Sequence, residues 1–221
     1  MSNLAFNMDC MEAMKDIPDK HFELAIVDPP YGINFAKTHT GNGWVVRESK
    51  SWDKQIPKAE YFKELFRISI NQIIWGGNYM VEFLPPSQAW IFWDKGQRDF
   101  SLADGELAFT SFDKAMRVVS ISRASFIKER AAVSHPTAKP IALYKWLLKN
   151  YAKEGDKILD THLGSGSSRI ACYDMGFDFT GYELDKEYFD KSVERFNNHI
   201  AQQTMFTDET QTEILVQKEL F

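Results

Sequence analysis

Asp28-Pro29-Pro30-Tyr31 closes the apolar run 22–27, and its residue types suit methyl transfer to an exocyclic amino group. Such a nitrogen is a poor nucleophile, because its lone pair is delocalised into the aromatic ring, so a site must hold it by its hydrogens. The Asp28 carboxylate and a carbonyl of the rigid Pro29-Pro30 pair supply two acceptors, which favour a more tetrahedral nitrogen as a methyl group arrives. The prolines fix φ and remove competing donors, so the acceptors are preset. Tyr31 then stacks on the base. A strand-ending turn uses the same residue types, and the four residues alone leave both readings open.

A second group of residues lies far downstream. Residues 157–160 read as a short buried strand that runs into Thr161-His162-Leu163-Gly164-Ser165-Gly166-Ser167-Ser168 and then a helical stretch ending near Gly176. Strand, small-residue loop and helix make a nucleotide-cofactor turn: Gly164 and Gly166 let a ligand approach the backbone, and the helix N-terminus offers N–H groups. The next strand, 178–182, ends in Glu183, about 20 residues beyond the glycines, where a carboxylate takes a ribose diol in a βαβ unit. A nicotinamide-dependent oxidoreductase shares that turn and that acid, but it leaves Asp28-Pro29-Pro30-Tyr31 unexplained.

Together these motifs resemble the β-class amino-group DNA methyltransferases, which use S-adenosylmethionine. In that class the catalytic segment precedes the cofactor glycine loop, a circularly permuted order that this sequence shares. Asn7-Met8-Asp9-Cys10 is similar to the family's Asn-Gly-Asp-Cys opening, and His135-Pro136-Thr137-Ala138-Lys139-Pro140 to its His-Pro-Thr-Gln-Lys-Pro motif. The segments 74–79 and 90–95 also resemble stretches that follow the catalytic loop in relatives. The likeness spans the chain to about residue 200. It implies a cofactor pocket built from Asp9, Cys10, Asp28 and Asn78, from His135, Thr137 and Lys139, and from Asp160, Gly164, Ser165, Gly166, Ser167 and Glu183. Lys139 orients the methionine carboxylate or neighbouring carboxylates, or makes a structural ion pair.

Four departures stand out. Thr161-His162 replace the family's Pro-Phe, Ser167 replaces Thr, Ala138 replaces Gln and Met8 replaces Gly. The loop glycines are retained, and cofactor binding is expected to be retained with them. The expected substrate is double-stranded DNA, methylated at adenine N6 because Asp leads the tetrapeptide; a Ser there is more typical of the cytosine-N4 enzymes of the family. The alternatives are cytosine N4 and a module that binds cofactor and nucleic acid without turnover.

At 221 residues, with 44% hydrophobic and 14% aromatic content, the chain can bury one sizeable core, and a single domain spanning 1–221 is expected. No run approaches the roughly 18 apolar residues of a membrane span, and no signal-peptide pattern opens the chain, which points to the cytoplasm. The two cysteines, Cys10 and Cys172, make no ligand cluster with the five histidines; neither a disulfide nor a metal is expected. A homodimer is an open expectation of the resemblance.

The net charge of −5 is low for a protein that grips DNA, so the distribution carries that argument. Residues 34–58 hold five basic residues, Lys37, Arg47 and Lys50 among them, against two acidic ones. Residues 114–139 hold six, including Arg123, Lys128 and Arg130, against one. Both stretches flank the chemistry, and with His39 they are the candidate DNA contacts. The loop 34–58 lacks apolar periodicity and carries Trp44 and Trp52, which suit a functional loop that closes over a flipped base.

These residues require a scaffold that brings them to one edge. Apolar, β-branched runs at 22–27, 73–75, 89–93, 106–112, 116–121, 157–159 and 178–182 predict seven strands. Helical spacing marks Phe62, Leu65 and Phe66, then Tyr144, Leu147, Leu148 and Tyr151, then Phe189, Val193, Phe196 and Ile200. Asp113-Lys114 is expected to turn a hairpin that supplies one reversed strand. The fold expected is α/β, a Rossmann-like methyltransferase sheet, mostly parallel, with Asp28, Asp160 and Glu183 at strand carboxyl ends. Residues 201–221 read as a polar, acidic tail.

Overall fold

The computed structural model describes residues 1–33, 55–98, 103–122 and 138–203, and it continues the last helix to 219. Eight strands form one sheet: β1 (Asn3–Asn7), β2 (Phe22–Val27), β3 (Ser69–Trp75), β4 (Ile91–Asp94), β5 (Gly105–Thr110), β6 (Arg117–Ser120), β7 (Lys157–Asp160) and β8 (Asp178–Glu183). Their order is β1-β8-β7-β2-β3-β5-β4-β6. Five helices are described: α1 (Cys10–Lys15), α2 (Ala59–Ile68), α3 (Ile141–Tyr151), α4 (Ser167–Met175) and α5 (Lys186–Glu219).

The period of two along the strands explains the layers. On β2, Leu24 and Ile26 join one core with Ile73, Trp75, Ile158, and Leu143, Tyr144 and Leu147 of α3. Ala25 and Val27 point the other way, into a second core with Ile74, Leu159, Met14 of α1, and Phe62, Leu65 and Ile68 of α2. Apolar side chains on both faces mark a sheet covered by helices on each side, the condition under which parallel strands are stable.

Three expectations are corrected. The sheet has eight strands rather than seven, because the apolar pattern omits β1: its short, polar-flanked sequence NLAFN carries little apolar signal. It is held by register instead, Asn3 to Asn7 lying parallel to 179–183 of β8. The reversed strand is β5, antiparallel to both β3 and β4, but Asp113-Lys114 does not make it. The antiparallel partners are β4 and β5, and β6 crosses over to lie parallel to the far side of β4. The tail is helical through Glu219, as a continuation of α5. Pro140 stands at the N-cap of α3.

Lys37, His39, Arg47 and Lys50 lie outside the described residues, as do Arg123, Lys128, Arg130, His135 and Thr137. No helix among the described residues is long and apolar enough to cross a membrane.

Candidate active site

Asn7, Asp28, Asp160 and Glu183 stand at the carboxyl ends of β1, β2, β7 and β8. Those strands are neighbours in the sheet, so residues up to 176 positions apart meet on one edge; Asn7 Nδ2 donates to the Glu183 carbonyl at 2.8 Å. This is the crevice where an open α/β sheet takes its ligand.

On the β1-β8-β7 side the glycine loop is held by its own hydrogen bonds. The His162 amide donates to Asp160 Oδ1 at 3.0 Å and the Gly164 amide to Glu183 Oε2 at 2.8 Å. Leu163 and Gly166 amides donate to the carbonyls of Tyr182 and Leu163. The amides expected to be offered to a ligand therefore serve first to fix the loop. Gly164 and Gly166 take φ +51 and +74, and at Gly166 a Cβ would press against Ser192 of α5. Glu183 also accepts from the Asp185 amide at 2.9 Å. The Leu184 amide adds a third backbone contact, and since a carboxylate offers about four acceptor sites, it keeps a lone pair for a diol. Asp9, the exposed N-cap of α1, accepts from the Met11 amide at 2.8 Å. A glycine loop and carboxylates on adjacent strand ends fit a cationic nucleoside cofactor.

Asp160 is buried, and Ser168 Oγ donates to its Oδ2 at 2.6 Å. Burial nonetheless pushes its carboxyl up to about 7. The departing pair beside it is integrated rather than accidental. Thr161 Oγ1 lies 2.7 Å from Tyr61 Oη on α2 and 2.9 Å from His162 Nδ1. The His162 ring meets Tyr61 edge-on at 5.4 Å, and burial lowers its pKa to about 4, so it is neutral at pH 7. From the other side Arg195 of α5 donates to the Ser165 carbonyl and to Ser167 Oγ, both at 2.9 Å.

On the β2-β3-β5-β4 side, the four-residue motif sits in a charged cluster. Asp28 Oδ2 is 2.5 Å from Lys139 Nζ, and Asp28 Oδ1 accepts from the Tyr31 hydroxyl at 2.6 Å. Lys139, with a side chain only 2% exposed, also donates to Glu106 Oε2 and to Tyr31 Oη, each at 3.1 Å. Lys95 holds the other Glu106 oxygen at 2.6 Å. Two lysines thus balance two carboxylates. Burial raises the Asp28 carboxyl despite Lys139, whereas at Glu106 the two ammoniums outweigh burial and the carboxyl is lowered. Burial opposes the charge on Lys139, but the two carboxylates prevail and its pKa is raised.

Two placements define this corner. Lys139 meets the Asp28 and Glu106 carboxylates. Tyr31 has its hydroxyl on Asp28 and its ring stacked on Tyr79 at 5.3 Å and 18°. Gly76, at φ +67, lies so close that a Cβ there would overlap the Tyr31 ring. The exposed ring of this stack is Tyr79, 45% accessible. Asn78 is exposed in the turn Gly77–Tyr79 after β3, on the Asp28 side of the crevice.

Sequence reasoning missed Glu106, Lys95, Tyr61 and Arg195. Glu106 alone left a signal, a charge within the strand GELAFT. Among the described residues no three His, Cys, Asp or Glu side chains gather as a metal would require.

The profile of a DNA methylase family, the N6/N4 methyltransferases, matches residues 82–194. The chain belongs to this family. It is an amino-group DNA methyltransferase, and its likeness to curated relatives is distant but broad. The type II methyltransferase M2.LlaDCHI of Lactococcus lactis subsp. cremoris is 22% identical over 235 residues, covering 86% of this chain and 87% of the relative. Among solved structures, the M1.HpyAVI complex with S-adenosylmethionine aligns with a TM-score of 0.60 at 18% identity, over 87% of this methyltransferase and 98% of that chain. The PvuII methyltransferase, which is cytosine-N4-specific, aligns with a TM-score of 0.56 at 10% identity, over 88% and 90% of the two chains. The family name covers both N6 and N4 and a cytosine-N4 enzyme shares the fold, so the fold does not choose the base.

Proposed function

We propose that this methyltransferase acts on N6 of adenine in duplex DNA, at a base rotated out of the helix. The observation that carries the reading is Asp28, a carboxylate at the end of β2 with one donor on each oxygen and lone pairs to spare. Bound S-adenosylmethionine supplies the electrophilic methyl group. Asp9, the 160–166 loop and Glu183 bind it along the β1-β8-β7 edge. Asp28 and the Pro29 carbonyl accept the two amino hydrogens and aim the nitrogen in line with the methyl carbon. Lys139 favours the ionised form of buried Asp28, against the burial that raises its carboxyl, and Tyr31 fixes its rotamer. The base packs beside the Tyr31–Tyr79 stack, reached by flipping, because a stacked amine cannot approach an enclosed donor. Transfer would form the nitrogen–carbon bond as the donor's sulfur–carbon bond breaks, and the nitrogen, left cationic, then gives up its surplus proton to solvent water.

Neither cysteine attacks the base. Burial pushes the Cys10 thiol up to about 12 and Cys172 well above its usual value, so both remain protonated at neutral pH. Adenine is favoured because Asp opens the tetrapeptide, where a Ser is more typical of the cytosine-N4 enzymes. The second reading is cytosine N4, supported by the likeness to the PvuII enzyme. DNA is gripped by the basic stretches 34–58 and 114–139 of a single methyltransferase unit.

The test is incubation with radiolabelled S-adenosylmethionine and unmethylated genomic DNA, followed by digestion to nucleosides. Label on N6-methyl-2′-deoxyadenosine that disappears in Asp28→Ala is expected. Label on N4-methyl-2′-deoxycytidine would move the activity to the second reading. Cofactor binding without label on any nucleoside would refute turnover on DNA.

A further inference from the structure

We infer that Glu106 is a positioning residue of the methyl-transfer site, acting on Asp28 through the lysine that the two carboxylates share. The inference rests on the reading of Asp28 as the group that holds the target amine. Its basis is the cluster itself. Lys139 Nζ reaches Asp28 Oδ2 at 2.5 Å and Glu106 Oε2 at 3.1 Å, and Lys95 Nζ anchors the far oxygen of Glu106 at 2.6 Å. Tyr31 Oη donates to Asp28 at 2.6 Å and lies 3.3 Å from Glu106 Oε2. The Glu106 side chain is only 23% exposed and sits in a strand whose other described side chains at 107–109 are apolar. Buried ion pairs gain little over apolar packing and are most useful where they specify geometry. Here the geometry specified is that of Lys139, and hence of Asp28.

Strand direction explains how Glu106 gets there. β5 runs against its neighbours, so its first residues lie at the edge where the parallel strands end; Glu106 is in register with Trp93, one residue before the end of β4. Lys95 follows β4 on the same edge. Every other strand of the sheet would bring its start to the opposite edge.

Several charged or titratable groups face the pair. Asp28 is met by Lys139 ahead of α3, by Tyr31 of its own loop and by Glu106 of β5. Tyr61 of α2, Tyr144 of α3 and Asp160 at the end of β7 feel its charge. Glu106 is met by Lys139 and by Lys95 after β4, with Tyr31 and Tyr144 beside it. Neutralising Glu106 removes a negative charge beside Asp28 and leaves Lys139 to Asp28 alone; both effects make Asp28 easier to ionise. Removing Lys95 takes away a positive charge and draws Lys139 toward Glu106; both effects make Asp28 harder to ionise. The two changes have opposite signs, which loss of packing alone does not produce.

The experiment follows the Asp28 carboxyl by 13C NMR in protein labelled at aspartate carboxyl carbons, without cofactor or DNA, with Asp28→Asn assigning the resonance. Glu106→Gln is expected to lower its titration by about one pH unit and Lys95→Met to raise it by about half a unit or more. The acid limb of the single-turnover rate, at saturating S-adenosylmethionine and DNA, moves with each. Should Glu106→Gln fail to fold, the upward shift in Lys95→Met still decides. An Asp28 titration that stays put in the folded variants, or moves the same way in both, overturns the inference. Methyl transfer surviving Asp28→Ala would instead remove the reading on which it rests, and the titration, recorded without turnover, tells the two failures apart.

Discussion

At the scale of residues, the site depends on buried groups whose ionisation the fold controls. Asp28→Ala removes the acceptor for the target amine but touches none of the 160–166 loop, so methyl transfer is expected to fall by at least about a thousandfold while affinity for S-adenosylmethionine changes by less than about threefold. Isothermal titration beside the label assay separates the two. Asp160 and His162 give a second prediction. Asp160 is raised to about 7: both states are protonated at low pH, and ionisation in the folded state becomes costly as pH rises from about 4 to 7, so stability falls over that window. His162 is lowered to about 4: above pH 6.5 it is neutral in both states, and as pH falls toward 4 only the unfolded chain takes the proton, so stability is lost on acidification, by up to roughly 3 kcal/mol. The slopes oppose each other in the wild type. Relative to it, His162→Phe should gain stability as pH falls from 6.5 to 4, and Asp160→Asn should gain as pH rises from 4 to 7. Urea denaturation across that range would show the opposite slopes; parallel curves for variant and wild type would refute the assignment.

At the scale of elements, two turns carry the chemistry. The turn after β3 places Gly76 under the Tyr31 ring in a conformation that favours glycine. Gly76→Ala should push Tyr31 off Asp28, and it adds about 1 kcal/mol of backbone strain. Turnover is then expected to fall about tenfold or more with cofactor affinity preserved, visible as a change in kcat and not in the cofactor Kd. The strand-to-helix turn after β7 depends on Ser168 at the start of α4, whose hydroxyl satisfies buried Asp160. Ser168→Ala leaves that oxygen unpaired and should lower stability by about 1 to 3 kcal/mol. A urea midpoint unchanged from wild type would show that the bond contributes nothing.

For the whole molecule, a net charge of −5 makes DNA binding depend on where the positive charges sit. Replacing Arg123, Lys128 and Arg130 together by Ala should weaken binding to all duplexes alike. It should also reduce the slope of log K against log salt by about one for each phosphate no longer neutralised. Fluorescence anisotropy at several salt concentrations measures it, and an unaltered slope would remove those residues from the interface.

Local sequence determined the motifs and their order. Asp28-Pro29-Pro30-Tyr31, the Gly164-Ser165-Gly166 turn and Glu183 are each contiguous with the strand that carries them, so strand periodicity and turn chemistry suffice to place them at carboxyl ends. The α2, α3 and α5 stripes are equally readable, because a helix facing a sheet repeats its apolar residues every three or four positions. What only the tertiary structure decided is the company those residues keep. The eighth strand is held by backbone pairing to β8 rather than by apolar content of its own. The reversed β5 brings Glu106 to the catalytic edge, and the segment ahead of α3 returns Lys139 to Asp28 across 111 positions. Tyr61 and Thr161 meet over a separation of 100. Those partnerships follow from strand order and direction, which are set by burying both faces of the sheet at once and leave no periodic trace in the chain.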